Sequence, residues 1–212
     1  ALGTPDISLF EMVGAYSTFA NQGIYVKPIM ITRIEDKNGR ALYEVLPETQ
    51  DVLSQEAAYV TVNLMQGVTT AGSGARLRHA GLEETNYIYK NVITGYPYVF
   101  ENPIAGKTGT TPNQSDVWFM GMVTNLATGV WVGGDDRSIH FKDIGFGQGA
   151  TMALPIWANY MRSLYDNPEF GISKEDFIAP EELSIPVDCE ELADIKSKEN
   201  AKPKADLKSL GF

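Results

Sequence analysis

Lys107-Thr108-Gly109-Thr110 is the run with the most evident chemistry in this sequence. If extended, it puts Lys107 and Gly109 on one face and Thr108 and Thr110 on the other. A lysine, two hydroxyls and a bare glycine are an odd choice for burial, but they suit an acyl group lying beside a carboxylate. Lys107 supplies positive charge, the threonine hydroxyls can donate to a carboxylate, and Gly109 lets a ligand approach the backbone closely. The N–H of Thr110, just after the glycine, can face an oxyanion. K-T-G alone is a short match, and a surface strand explains it equally well.

Two nucleotide-binding readings fail on their neighbours. Gly106-Lys107-Thr108 resembles the end of a P-loop, which needs a glycine where this chain has Glu101, a carboxylate that would repel phosphate. Gly145-Phe146-Gly147-Gln148-Gly149-Ala150 fits a dinucleotide fingerprint in spacing, with Glu169 at the expected distance for a ribose contact. No second strand ends in that acid, however, so a glycine turn feeding the last helix is the better reading. The net charge of −10 argues against binding a nucleic-acid backbone. One cysteine, Cys189, and two distant histidines, His79 and His140, exclude a disulfide framework and make a metal cluster improbable. No stretch approaches the roughly 20 apolar residues of a membrane span.

The elements that must position the K-T-G run follow from periodicity and punctuation. Ser8 and Glu11 form a capping-box pattern ahead of Leu9, Met12, Val13, Tyr16, Phe19 and Ala20 at helical spacing, stopped by Asn21 and Gly23. An extended stretch through Ile29, Ile31 and Ile34 meets Asn38-Gly39, a two-residue hairpin signal, and returns through Leu42 and Val45. A second helix is predicted after Ser54, with Ala57, Val60, Leu64 and Val68 on one face, ending at Gly72-Ser73-Gly74. Arg76 to Pro103 shows no period. Short apolar runs follow at Ile104–Thr111, Val117–Thr124 and Gly129–Gly133, and their brief connections predict antiparallel hairpins. Val117, Phe119, Gly121 and Val123 alternate with Trp118, Met120 and Met122. Pro155 suits the first turn of a closing helix carrying Ile156, Trp157, Tyr160, Met161 and Leu164. The predicted class is α+β, an antiparallel sheet packed with helices.

K-T-G is one of three motifs of serine enzymes that recognise penicillin, beside S-x-x-K and S-D-N. Around it stand Ala105-Gly106-Lys107-Thr108-Gly109-Thr110-Thr111, Asp116-Val117-Trp118-Phe119-Met120-Gly121 and Gly129-Val130-Trp131-Val132-Gly133. Gly14-Ala15-Tyr16 through Phe19-Ala20-Asn21-Gln22-Gly23 lie upstream. From about Ala1 to Met161 the chain closely resembles the C-terminal part of the transpeptidase domain of class A penicillin-binding proteins. The resemblance implies a serine β-lactamase/transpeptidase-like fold, incomplete in this chain. It also implies a domain that cross-links peptidoglycan stem peptides by serine acyl transfer and is acylated by β-lactams. Lys107 would help position the proton network and the substrate carboxylate, Thr108 and Thr110 would bind that carboxylate beside Gly109, and the Thr110 amide would form half of an oxyanion hole. Asp116 and Trp118 are read as structural supports of the following strand pair.

The departure is in the other two motifs. No lysine has a serine three residues earlier and no asparagine has a serine two residues earlier. Tyr89-Lys90-Asn91 imitates a variant of the middle motif but falls too close to Lys107, and is read as coincidence. The expectation is therefore a nucleophile on an earlier segment, a chain inert by itself, and a partner in the missing N-terminal part of the same domain. The start at Ala1 agrees with that. A non-catalytic module binding D-alanyl peptides or β-lactams is the alternative. The resemblance also implies placement outside the bacterial cytoplasmic membrane, in the periplasm, held by an upstream anchor and partnered by a glycosyltransferase domain. It implies no metal or organic cofactor. Residues 1–168 are expected to be the transpeptidase portion and 169–212 an extension that holds half of the net charge, with a lysine-rich, partly disordered end from Lys196 to Lys208.

Overall fold

The computed structural model of the chain describes residues 5–188, 191–193 and 197. Cys189 and all of the lysine-rich stretch except Ser197 lie outside the described residues. Helix α1 (Leu9–Ala20) starts as expected: Ser8 Oγ accepts the Glu11 N–H at 3.2 Å and Glu11 Oε2 accepts the Ser8 N–H at 2.9 Å. The chain then leaves through β1 (Ile24–Val26), β2 (Arg33–Glu35), β3 (Ala41–Glu44) and β4 (Thr49–Asp51). β1 pairs with β4 and β2 with β3, both antiparallel.

The hairpin is present but its loop is longer than the two residues expected. Asp36 pairs with Arg40 through its N–H, and Gly39 takes a positive φ of 81°. The cause is the Asp36 carboxylate, which accepts the amides of both Asn38 (2.7 Å) and Arg40 (3.0 Å). That holds a three-residue loop with glycine in the left-handed position.

Helix α2 (Gln55–Thr70) is capped by Ser54. Its buried stripe is Ala58, Val62, Met65 and Thr69, one position round from the expected face, and Leu64 is 69% exposed. Both stripes have helical spacing. The sheet and Phe177 decide between them by covering Val62 and Met65. A 3-10 turn (Ala75–Leu77) and a short helix α3 (Tyr87–Asn91), capped by Asn86, lie in the region without a sequence period.

The central sheet is β5 (Ala105–Thr110), β6 (Asp116–Val123) and β7 (Leu126–Gly133), antiparallel in that order. β6 is paired on both sides, with Lys107 opposite Met120 and Gly109 opposite Trp118. β7 pairs with β6 alone among the described strands. One sheet face, carrying Phe119 and Val123, meets Trp157, Leu154 and Met161 of helix α4 (Gly149–Tyr165). Gly121 leaves room there for the Trp157 indole, whose ring atoms lie 2.5 Å from where a β-carbon would sit. The other face, through Ala105 and Met122, meets Val62 and Met65 of α2. The result is an α+β fold in three layers.

α4 begins at Gly149, so Pro155 sits inside the helix and not in its first turn. A proline there leaves the carbonyl four residues earlier without its helical N–H partner. Burial of Ala150, Thr151, Ala153 and Leu154 offsets that loss and holds the preceding turns helical. Residues after α4 fold back on the same unit: Phe177 is buried in the α2 cluster and Asp176 accepts from Gln66 at 2.8 Å. That unit runs to Ala179. A second unit starts at Pro180, and within it the Asp188 carboxylate accepts the Glu191 N–H at 3.3 Å.

Candidate active site

β5 places the whole K-T-G-T run along one wall of a cleft of about 650 Å³. The start of α1 and the residues before it, Pro5 to Leu9 with Met12 and Tyr16, also line it. Burial pushes the Tyr16 phenol up from its ordinary value, so it remains a protonated donor at neutral pH. Trp118, Met120 and Trp131 line the cleft as well.

The motif groups are held from several directions. Lys107 is exposed, and its ammonium donates to the Thr108 carbonyl at 2.8 Å. Thr108 Oγ1 is 2.7 Å from Ser73 Oγ. Thr110 Oγ1 accepts the N–H of Gly149, the first residue of α4, at 3.2 Å. That approach is open only to glycine, because a β-carbon on Gly149 would lie 2.3 Å from the Trp118 carbonyl oxygen. An N–H can only donate, so the Thr110 hydroxyl proton must point elsewhere, and the cleft is where an anion would meet it.

Asp116 follows the strand turn. Its carboxylate accepts from Thr111 Oγ1 (3.2 Å), Ser115 Oγ (3.1 Å) and Trp131 Nε1 (3.0 Å). Trp131 in turn lies against Trp118, with ring centroids 6.4 Å apart. Arg137 and Asp6 reach toward each other at the cleft rim, 3.3 Å apart and both exposed, so the pair contributes little stability.

The structure thus brings Lys107, Thr108, Gly109, Thr110, Asp116 and Trp118 to one cleft. Tyr89 is elsewhere, 1% exposed and stacked under the Arg76 guanidinium at 4.2 Å. Ser73 and Gly149 carry no motif of their own in the sequence. Their roles arise from contacts spanning 35 and 39 residues. Gly72-Ser73-Gly74 and Gly147-Gln148-Gly149 were legible only as turns.

A strand carrying K-T-G at a cleft is one of the three motifs of the penicillin-recognising serine enzymes. The family described as penicillin binding protein transpeptidase domain matches residues 1–134. The chain belongs to that family, as the C-terminal part of its class A members. It is 33% identical over 181 residues to penicillin-binding protein 1A of Aquifex aeolicus (strain VF5), covering 84% of this chain and 22% of the relative. Among solved structures it is similar to penicillin-binding protein 1A of Haemophilus influenzae, with a TM-score of 0.63, 22% identity, and coverage of 82% of this chain and 28% of that one. It is also similar to penicillin-binding protein A of M. tuberculosis, solved as an imipenem acyl-enzyme complex, with a TM-score of 0.52, 19% identity, and coverage of 76% and 32%. These two likenesses bear on the fold alone. The chain spans about a fifth of the length of the curated relative.

Proposed function

We propose that this chain is the carboxylate-binding half of a peptidoglycan D,D-transpeptidase. The observation that carries the proposal is the K-T-G-T strand lying along the wall of the 650 Å³ cleft with both hydroxyls and Lys107 held in place. The terminal carboxylate of a D-alanyl-D-alanine stem peptide lies against Thr108 and Thr110, with Lys107 adding charge and Gly109 allowing close approach. The scissile carbonyl oxygen faces the Thr110 N–H, half of an oxyanion hole.

The nucleophile is a serine of an S-x-x-K motif on a segment outside this chain. Its oxygen bonds to the carbonyl carbon, the C–N bond to the last D-alanine breaks, and the serine proton ends on the departing amine. An acceptor amine from a second stem peptide then bonds to the acyl carbon, the C–O bond to the serine breaks, and the amine's proton returns to the serine oxygen. β-Lactams acylate the same serine because they carry the matching carboxylate and acyl group. In this reading residues 1–168 are the transpeptidase portion. Residues 169–212 are an extension whose first part, to Ala179, packs back on it. The protein works on the outer side of the cytoplasmic membrane, held by an upstream anchor. Among the described residues no helix is long and apolar enough to cross a membrane.

The test is labelling by a fluorescent penicillin. The 212-residue chain alone should take no covalent label, and labelling would overturn the assignment of the nucleophile to another segment. In a longer protein carrying this segment, Lys107→Ala should lower the acylation rate roughly ten- to hundredfold, the loss of one charge-assisted contact. An unchanged rate would reduce Lys107 to a surface residue.

A further inference from the structure

Ser73 lies at the tip of the turn that ends α2, 35 residues before its partner, and its hydroxyl oxygen is 2.7 Å from Thr108 Oγ1. Resting on the function proposed above, we infer that Ser73 is a positioning residue for a carboxylate-bearing substrate: it donates to Thr108 Oγ1 and so turns the one proton of Thr108 toward the anion.

The placement of Ser73 is fixed from both sides. Before it, Thr69 is fully buried and its hydroxyl donates to the Ile104 carbonyl at 2.6 Å, joining the last turn of α2 to the residue that precedes β5. After it, Leu77 is fully buried and the Arg78 guanidinium donates to the carbonyls of Phe100 (3.0 Å) and Asn102 and to Thr69 Oγ1 (3.2 Å). Between these anchors the chain reverses tightly. The amides of Gly72 and Gly74 both donate to the Val68 carbonyl, at 3.1 and 3.0 Å. A side chain at the tip of so constrained a turn has little freedom except rotation about its own bonds.

A hydroxyl has one proton and two lone pairs. In the free protein either oxygen of the Ser73–Thr108 pair can donate. Once Thr108 donates to a carboxylate its proton is committed, and Ser73 must then be the donor. The same logic governs Thr110, which the Gly149 N–H forces into the acceptor role on the protein side. The two motif hydroxyls are thus each supplied with a proton from behind, one by a side chain and one by a helix N-terminal amide. Their own protons are left for the ligand.

The experiment compares acylation rates in a longer protein carrying this segment, using a penicillin with its free carboxylate and the same penicillin as its methyl ester. The variants are Ser73→Ala, Ser73→Thr, Thr108→Val and the Ser73→Ala/Thr108→Val pair. Ser73→Ala should slow the free acid about three- to tenfold, the scale of one neutral hydrogen bond, and leave the ester rate unchanged. Ser73→Thr should restore the rate, and Ser73→Ala should add no further loss to Thr108→Val. Equal slowing of acid and ester would mark Ser73 as merely structural, and additive losses would show that it does not act through Thr108. Either result overturns the inference, as does an unchanged free-acid rate in Ser73→Ala while Thr108→Val is impaired. If Thr108→Val and Lys107→Ala both acylate normally, the reading of the site itself has failed and the role of Ser73 falls with it.

Discussion

Glu84 is a carboxylate taken almost wholly out of water, 7% exposed, and its environment decides how it titrates. Burial pushes its carboxyl up, but the Arg76 guanidinium at 2.6 Å, the Asn86 N–H at 2.7 Å and the nearby His79 outweigh burial and hold it below the ordinary value. A depressed folded-state value stabilises the fold above the ordinary carboxylate range, and that contribution is lost as pH falls through the folded value. Thermal midpoints followed from pH 7 downward should therefore drop in the wild type, and Glu84→Gln, already less stable at pH 7, should drop less steeply. Asp116 makes a second residue-scale case. Asp116→Ala removes the acceptor of three donors and should cost about 1–3 kcal/mol in denaturant unfolding. The residues of the K-T-G-T run were legible because their types are poorly suited to burial and stand in one unbroken stretch. Ser73 and Gly149 were not, because what they contribute is a distance to β5, and nothing in their own neighbourhood encodes it.

At the scale of elements, the strands and helices were readable wherever one face is apolar and the ends are punctuated, as in α1 and β6. The misreadings have separate physical causes. In α2 two adjacent stripes satisfy the same period, and only packing chooses between them. In α4 proline looked like a beginning because it lacks an N–H, yet the small residues before it could press helical backbone onto the sheet. α3 is five residues long, too short to show a period. One close approach between elements is where Gly121 of β6 meets Trp157 of α4. Gly121→Ala should destabilise by about 1–3 kcal/mol through overpacking. Adding Trp157→Leu should recover part of that loss, which a double-mutant cycle in chemical denaturation would read directly.

For the molecule as a whole, apolar surface is concentrated on the ribbons between β1 and β4, where Met30 is 91% and Leu46 83% exposed, with Ile31, Ile34, Leu42 and Tyr43 beside them. Such a patch on an isolated chain favours self-association, in spite of the net charge of −10. Sedimentation should show concentration-dependent association that Met30→Lys together with Leu46→Lys reduces, with the thermal midpoint unchanged because neither side chain packs in the core. The outermost strand carries a different message. β6 is paired on both edges, whereas β7 gives only its inner edge to a described neighbour, so along β7 alternate backbone amides have no strand partner among the described residues. In heavy water β6 should keep its protons throughout, and β7 should lose them at every second residue. That two-residue rhythm would vanish as soon as another strand lay down beside it, making the exchange pattern of β7 a direct reporter of whether this sheet has been extended.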